Sequence, residues 1–279
     1  DAPAVHFAPN KGSPVCHAFS EANSYLLLRL LQCLIGQQVI SLAKVHRLVG
    51  ATKCRDPSIP FVRALRDALS SDQGTVLRWA THENTVLSQL RARLLAEPCE
   101  DAADLIQFIE SITCRQVPDG KVSGERHMVD LCKLAELHYF HPSTKGRCSL
   151  KKVLPSLFEC SDLLREQYGR PVYGSASMSS LNHVEPIQWW QQDAEGITDP
   201  YDLLPALFED SDACDDAERL QDGGSAMAAF ARLQFESLPA ETRKATEAAL
   251  LRYCELDTLA MVMAVQAMQA WIHDRPTGS

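Results

Sequence analysis

The segment "RYCELDTLAM", residues 252–261, places Tyr253 four residues before Asp257 in a pattern that is typical of a helix. One helical turn of separation puts both side chains on the same face. Two interpretations follow for that face. It belongs to a core, which is the common situation for an isolated Y-x-x-x-D, or it holds a metal ion, with Asp257 as a ligand and Tyr253 orienting a water molecule.

Two further acidic residues lie where carboxylates are unusual. Glu83 follows the strand-like segment "TVLRWATH" at the start of a helix, and Asp130 lies inside the apolar run "HMVDLCKL". Such carboxylates are costly unless they are paired or bound to a cation. Oxygen ligands from separate elements suit Mg²⁺, and two such ions can catalyse phosphodiester hydrolysis. The alternatives are a first-turn charge favoured by the helix dipole for Glu83, and a helix cap for Asp130.

The elements that must position these residues follow from hydrophobic periodicity and turn signals. The pattern predicts short strands at 74–80 and 128–131, and a long loop or insertion at 169–202. It predicts helices at 25–49, 56–71, 83–97, 103–112, 149–158 and 225–235, a helix after 131, and a long final helix or helix pair at 239–272. Ser149 is the expected cap of the helix at 149–158. This order predicts an α/β chain with a small sheet and many helices.

The composition of the chain excludes some classes of function. The chain has 279 residues, of which 46% are hydrophobic and 23% charged, and a formal net charge of -9. This charge argues against nucleic-acid binding over the whole surface, but a local basic groove needs only a few lysines and arginines. The 10 cysteines form no C-x-x-C pair and indicate reduced thiols in a cytoplasmic protein, with a disulfide framework as the alternative. Arg29 and three glutamines interrupt the apolar segment 24–43, so no membrane-spanning helix is predicted.

Several segments resemble a bacterial family, the domain of unknown function 2779, in the right order. They are "DPSIPFVRALRDAL", "GTVLRWATHENTVLSQL", "RHMVDLCKLAELHYFHPSTKGRCSLKKVLPSLF", "GITDPYDLLPALF", "LQDGGSAMAAF" and "LLRYCELDTLAMVMAVQAM", and they extend over about residues 55–270. That family in turn resembles the DEDD exonucleases of the ribonuclease H-like fold. The resemblance implies a ribonuclease H-like domain over 55–279, with a helix-rich C-terminal part, an insertion around 169–205 and an incomplete or disrupted N-terminal sheet.

The resemblance also implies roles for individual residues. Tyr253, Asp257 and Glu83 would be catalytic, and Asp257, Glu83 and Asp130 would hold Mg²⁺ or Mn²⁺. For Asp130 the alternative is a role that supports the site without binding the metal. The three carboxylates would converge at one end of the sheet, with Tyr253 beside them.

Nucleic-acid contacts are also implied. Lys151 and Lys152 could contact backbone phosphate, with a solvated helix face as an equal alternative. His82 could lie near the scissile group, although a structural histidine is favoured. Trp189 and Trp190 could stack on bases, but packing of the insertion onto the domain is favoured.

The N-terminal segment departs from the family. DEDD exonucleases carry a D-x-E pair on the first strand, whereas "VHF" at residues 5–7 is followed by no D-x-E, and residues 8–54 show no resemblance. Residues 1–54 are therefore an atypical segment, and three accounts stay open. A shifted reading frame, which is favoured, would make residues 8–54 a nonsense translation that could misfold. The chain could instead be a natural inactive relative, or acids such as Glu21 could replace the missing pair.

The sequence therefore predicts a metal-dependent 3′-5′ exonuclease-like domain acting on nucleic acid, impaired by loss of the D-x-E motif and binding metal weakly or not at all. The alternative is a catalytically inactive binding or scaffold module of the same fold. A third interpretation, an all-helical interaction protein, requires the apolar segments near residues 76 and 129 to be helical.

Overall fold

The computed structural model describes residues 58–70, 74–178, 180, 182–194, 196–204, 226, 229, 232–233 and 236–273. The helix predicted at 25–49 and the atypical N-terminal segment lie outside the described residues, as does most of the helix predicted at 225–235. The chain divides into two compact units. Unit 1 holds the described residues between 62 and 130, and unit 2 holds those between 131 and 273 together with 58–61.

Three helices begin the described chain, and all three confirm the sequence prediction. They are α1 at Ser58–Leu69, α2 at His82–Ala96 and α3 at Ala102–Ile112. The apolar stripe of α1 is buried as its four-residue spacing requires, with Phe61, Leu65 and Leu69 in the core. Helices α2 and α3 pack against each other in unit 1.

The strand predictions near residues 76 and 129 are also confirmed. Strand β1 at Leu77–Arg78 pairs in parallel with the later strand at Val129–Asp130, with Leu77 opposite Val129 and Arg78 opposite Asp130. An all-helical protein is therefore excluded. The parallel pairing brings the C-terminal ends of both strands to the same edge. Helix α2 begins shortly after β1 ends at this edge.

A hairpin between α3 and this later strand escaped the sequence analysis. Strands β2 at Cys114–Val117 and β3 at Gly120–Ser123 pair antiparallel, and the strand at Val129–Asp130 is accordingly β4. The Pro-Asp-Gly turn between them is a recognisable signal, because Gly120 has a φ of 129°, which glycine adopts without steric cost. The two small sheets with dominant helices define a mixed α/β protein.

The segment between β3 and β4 is held against the end of α3. The Gly124 amide donates to the Thr113 carbonyl over 2.9 Å, and the Met128 amide donates to the Ile112 carbonyl over 2.9 Å. A Cβ on Gly124 would collide with the backbone carbonyls of Glu110 and Ser111, so glycine is required by this close approach. These contacts fix the position at which β4 begins.

Unit 2 is built on its last helix. Its helices are α4 at Leu131–His138, α5 at Leu150–Cys160, α6 at Asp162–Tyr168 and α7 at Ala240–His273, and α7 packs against α5 and α6. Helix α7 is one continuous helix, which settles the choice between a long helix and a helix pair. Short 3₁₀ helices occupy Pro142–Thr144 and Pro200–Leu203.

Serines stand at the N-caps of two helices in unit 2, but only one of them makes a side-chain cap hydrogen bond. Ser149 stands at the N-cap of α5, as predicted, although its side chain makes no cap hydrogen bond. Helix α6, which the sequence analysis missed, is capped by Ser161. The Ser161 hydroxyl accepts the Leu164 amide over 3.3 Å, as an N-cap serine does.

The predicted long loop is largely irregular, as expected for residues 169–202. Its few backbone bridges join Tyr173 to Met178 and Ile187, and Gln192 to Ile197. Trp189 is 0% exposed, with ring centroids 5.9 Å from Tyr173 and 5.4 Å from His183. Trp189 is therefore buried among residues of the insertion, and packing of the insertion onto the rest of the domain through this ring stays a prediction.

Two further sequence expectations concern the described residues alone. No helix in this part of the chain is long and apolar enough to cross a membrane. Free thiols are found at all the cysteines that it contains, Cys99, Cys114, Cys132, Cys148, Cys160 and Cys254.

Candidate functional site

The centre of α7 is buried on every side between residues 253 and 265 and contains two carboxylates. Glu255 is 3% exposed and Asp257 is 7% exposed. A charge in such a place must be compensated by hydrogen bonds or opposite charge. The two residues are compensated in different ways.

Asp257 is held by a tyrosine from the insertion. The Tyr201 hydroxyl donates to Asp257 Oδ1 over 2.6 Å. Burial raises the pKa of Asp257 to about 6, against the opposing effects of this hydrogen bond and of the positive charge of Lys151. Burial and the neighbouring carboxylate raise the pKa of Tyr201 well above its ordinary value, so its hydroxyl keeps the proton that it donates.

Lys151 completes this cluster from the first turn of α5. Its Nζ lies 5.0 Å from the ring centroid of Tyr201 and 4.9 Å from that of Tyr253. Both distances are within the range of a cation–π contact. The two rings are 6.0 Å apart and tilted by 54°. We call Asp257, Tyr253, Tyr201 and Lys151 the Asp257 cluster; all four belong to unit 2.

The neighbouring lysine points elsewhere. Lys151 Nζ is shielded from solvent, whereas the Lys152 side chain is exposed. The solvated helix face therefore describes Lys152, and Lys151 faces the interior of unit 2.

Local backbone chemistry places Tyr201 against Asp257. Asp199 caps the 3₁₀ helix through its carboxylate, which accepts the Tyr201 amide over 3.0 Å. Pro200 presets the first helical φ of this short helix. Burial raises the pKa of Asp199. The cap orients the Tyr201 side chain toward α7.

Glu255 is satisfied by a different part of the insertion. Its Oε1 accepts the Tyr173 hydroxyl over 2.6 Å and also the Ser180 hydroxyl, and its Oε2 accepts the Asn182 amide. Arg252 donates to the Asn182 carbonyl over 3.0 Å, and burial lowers the pKa of the adjacent His183. We call Glu255 with Tyr173, Ser180 and Asn182 the Glu255 cluster.

In unit 1, Glu83 and His82 stand at the start of α2. Glu83 is 1% exposed and lies in the first turn of that helix, where the dipole favours a negative charge. His82, one residue earlier, is exposed. Asn84 follows and holds the hairpin, because its side-chain amide donates to the Cys114 carbonyl over 2.7 Å and accepts the Cys114 amide over 2.8 Å.

Asp130 lies at the edge formed by β1 and β4. Its carboxylate forms an ion pair of 3.1 Å with Arg78 and accepts the Ala80 amide over 3.1 Å. Ala80 has a φ of 67°, a left-handed conformation that is uncommon for a residue with a Cβ. The Arg78 guanidinium also donates to the Ala80 carbonyl. These contacts give Asp130 a role in fixing the turn from β1 into α2, and its role as a metal ligand stays a prediction.

The predicted site residues thus fall into two groups. Tyr253, Asp257 and Lys151 lie together in unit 2, whereas Glu83, His82 and Asp130 belong to unit 1. The convergence of all three carboxylates joins residues of both units and stays a prediction.

The contacts of Asp257 do not fit a divalent cation. Its Oδ1 is engaged by a hydroxyl, and the ammonium of Lys151 already supplies positive charge nearby. Within the described ranges, no group of three or more His, Cys, Asp or Glu side chains is arranged to hold a metal ion. Divalent cations such as Mg²⁺ require several oxygen ligands around one point.

Sequence reasoning missed Tyr201 and Glu255. No local signal links a tyrosine after "TDP" to an aspartate in α7, because the contact depends on how the insertion folds back. Glu255 did carry a signal, since it is a charge in the same apolar run as Asp257.

Part of the chain matches a model of a known protein family. Residues 30–149 match a family model described as a domain of unknown function (DUF2779). The match supports the predicted family and corrects its extent, because it includes residues 30–54, where no resemblance was expected. The resemblance of residues 150–270 stays a prediction. No curated protein and no solved structure matches this chain.

Proposed function

We propose that this chain is a metal-dependent 3′-5′ exonuclease-like domain of the ribonuclease H-like fold, acting on nucleic acid and impaired by the missing D-x-E motif. The observation that carries the proposal is the Asp257 cluster. Tyr253 and Asp257, one helical turn apart, share a buried cluster with Lys151 of the "SLKK" segment, and all three come from segments that resemble the DEDD exonucleases.

Features of unit 1 support the same proposal. Strands β1 and β4 are parallel, and β1 leads into helix α2, whose first turn contains the buried Glu83. A carboxylate in that position agrees with the second acidic motif of the exonucleases. Fold analogy alone does not establish a function, so the proposal depends on these residues.

The test compares cleavage by the parent protein and by Asp257→Asn. A 5′-labelled single-stranded DNA or RNA and Mn²⁺ would reveal shortening from the 3′ end. We expect only slow shortening by the parent, because metal binding would be weak, and a further loss of about 100-fold in Asp257→Asn, because in the proposed function Asp257 would be a ligand of the cation that offsets the charge developing at the phosphate. The exposed Asp202 provides the matched control, and Asp202→Asn should retain the parent rate. Equal cleavage by parent and Asp257→Asn would remove Asp257 from the mechanism.

A second candidate is a catalytically inactive binding or scaffold module of this fold. It is favoured by one observation, the engagement of Asp257 by Tyr201 and Lys151 in place of a metal ion. This candidate predicts that the parent binds a labelled single strand without shortening it. Fluorescence anisotropy in the presence of a chelator would detect that binding, and Lys152→Ala should weaken it if the exposed Lys152 contacts phosphate.

A further inference from the structure

Lys151 is the cationic member of the Asp257 cluster. Its ammonium lies 5.0 Å from the centre of the Tyr201 ring and 4.9 Å from that of the Tyr253 ring, and is shielded from solvent. Tyr201 joins the lysine to the carboxylate, since its ring faces the ammonium and its hydroxyl donates to Asp257 Oδ1 over 2.6 Å.

A buried carboxylate requires compensation close by. A divalent cation is one source of compensation, and a lysine combined with a hydroxyl donor is another. The Lys151 ammonium and the Asp257 carboxylate contact the same Tyr201 side chain, the first at its ring and the second at its hydroxyl, which places the charge of Lys151 near Asp257. The two aromatic faces favour the ammonium itself.

We propose that Lys151 and the Tyr201 hydroxyl take the position and the charge of a divalent cation at Asp257, so that this part of unit 2 is charge-balanced without metal. The identity of the replaced cation, Mg²⁺ or Mn²⁺, rests on the proposed function. It assigns Lys151 a role as an internal counter-ion instead of a phosphate contact. It also assigns Tyr201, a residue of the insertion, the role of hydrogen-bond donor to the Asp257 carboxylate.

The test measures thermal unfolding midpoints of the full chain in a chelator and in millimolar MnCl₂. Four proteins are compared: the parent, Lys151→Met, the matched control Lys152→Met and the double variant Lys151→Met with Asp257→Asn. In the chelator, Lys151→Met should lower the midpoint by about 5–10 °C, because it leaves a buried carboxylate without its counter-ion. The midpoint of Lys152→Met should change by about 1 °C or less, because that side chain is exposed. The double variant should recover at least half of the loss.

Mn²⁺ should then distinguish replacement of a cation from ordinary packing. The parent midpoint should not respond to Mn²⁺, because the position is filled. The midpoint of Lys151→Met should rise by about 3 °C in Mn²⁺, and the double variant should not respond. A parent midpoint that rises with Mn²⁺ to the same extent, or a Lys151→Met midpoint that does not rise, would overturn the proposal.

The test stays decisive even if Lys151→Met folds poorly. The double variant removes both charges at similar side-chain volume, so it should fold if the defect is electrostatic. A double variant that is as defective as Lys151→Met would assign Lys151 to packing and overturn the proposal. Because these readouts do not depend on cleavage, a parent that cleaves nothing contradicts the proposed function and leaves this inference to the unfolding data.

Discussion

Glu255 and Asp257 lie two residues apart on the same buried helix, yet their surroundings differ. Glu255 accepts hydrogen bonds from three side chains of residues 173–182. Asp257 accepts the hydroxyl of Tyr201 and lies within range of the charge of Lys151. The first arrangement saturates a carboxylate with hydrogen-bond donors, as a structural anchor does. The second arrangement leaves the Asp257 carboxylate with a raised pKa beside a cation. Groups with perturbed pKa values are concentrated at functional sites.

The comparison also shows how α7 holds the insertion. Each cluster attaches a different part of residues 169–204 to one turn of the same helix. The insertion is therefore fixed to α7 by polar contacts at two points, and Trp189 is buried against Tyr173 and His183 within the insertion itself. Three changes would break or sharpen the difference between the clusters.

The largest effect is expected from removing Glu255. Glu255→Ala leaves the buried Tyr173 hydroxyl and the half-buried Ser180 hydroxyl and Asn182 amide without their acceptor. We expect the free energy of unfolding to fall by about 4 kcal/mol, measured by urea denaturation. The exposed Glu166 provides the control, and Glu166→Ala should stay within about 0.5 kcal/mol of the parent. A loss no larger than that of the control would contradict an anchoring role.

The next effect concerns pH and Asp257. Its pKa is about 6 in the folded protein and 3.8 is its ordinary value, so the folded state retains a proton that the unfolded chain releases. The resulting contribution to stability is fully present below about pH 3.8 and is lost as the pH rises through 6. We expect the free energy of unfolding of the parent, relative to Asp257→Asn, to fall by about 3 kcal/mol across this window.

Urea denaturation at a series of pH values from below 4 to 7 would measure that difference. Asp202→Asn, at an exposed aspartate next to Tyr201 in the sequence, should keep the slope of the parent. Parallel curves for the parent and Asp257→Asn would show that Asp257 has no raised pKa.

The smallest effect separates the two tyrosine hydroxyls. Tyr201→Phe removes the hydrogen bond from the Tyr201 hydroxyl to the Asp257 carboxylate, and this loss should cost about 2 kcal/mol because the acceptor is charged. Tyr173→Phe removes one of three donors to Glu255, and this loss should cost about 1 kcal/mol because two donors remain. The two phenylalanine variants control for each other, because both remove a hydroxyl from a buried ring. Equal losses of unfolding free energy would mean that the two carboxylates do not differ in how fully they are hydrogen-bonded.

Elements with strong periodicity were predictable from the sequence. The stripe Phe61, Leu65 and Leu69 defined α1, and the apolar runs at Leu77 and Val129 defined two strands that prove to be partners. The hairpin at 114–123 was missed because its strands are short and largely exposed, so they lack the alternation that marks a half-buried strand. The Pro-Asp-Gly turn was the available signal.

The site was predictable only in part. The spacing of Tyr253 and Asp257 led to one half of the Asp257 cluster, and "SLKK" led to Lys151. Tyr201 could not be derived, because no local pattern connects residues that are 56 positions apart. Residue propensities also could not separate Lys151 from Lys152, since the difference lies in which helix face the rest of unit 2 covers.

The parallel pairing of β1 with β4 has a consequence for the order of folding. Ala80 and Asp130, which meet at its edge, are 50 residues apart in the chain. Closing so long a loop costs conformational entropy, and a ladder of two residue pairs returns little for it. We therefore expect the intervening helices and hairpin to form before the strands meet. The strand pair would then be a late event in the assembly of unit 1, and its formation would report that the surrounding helices are already in place.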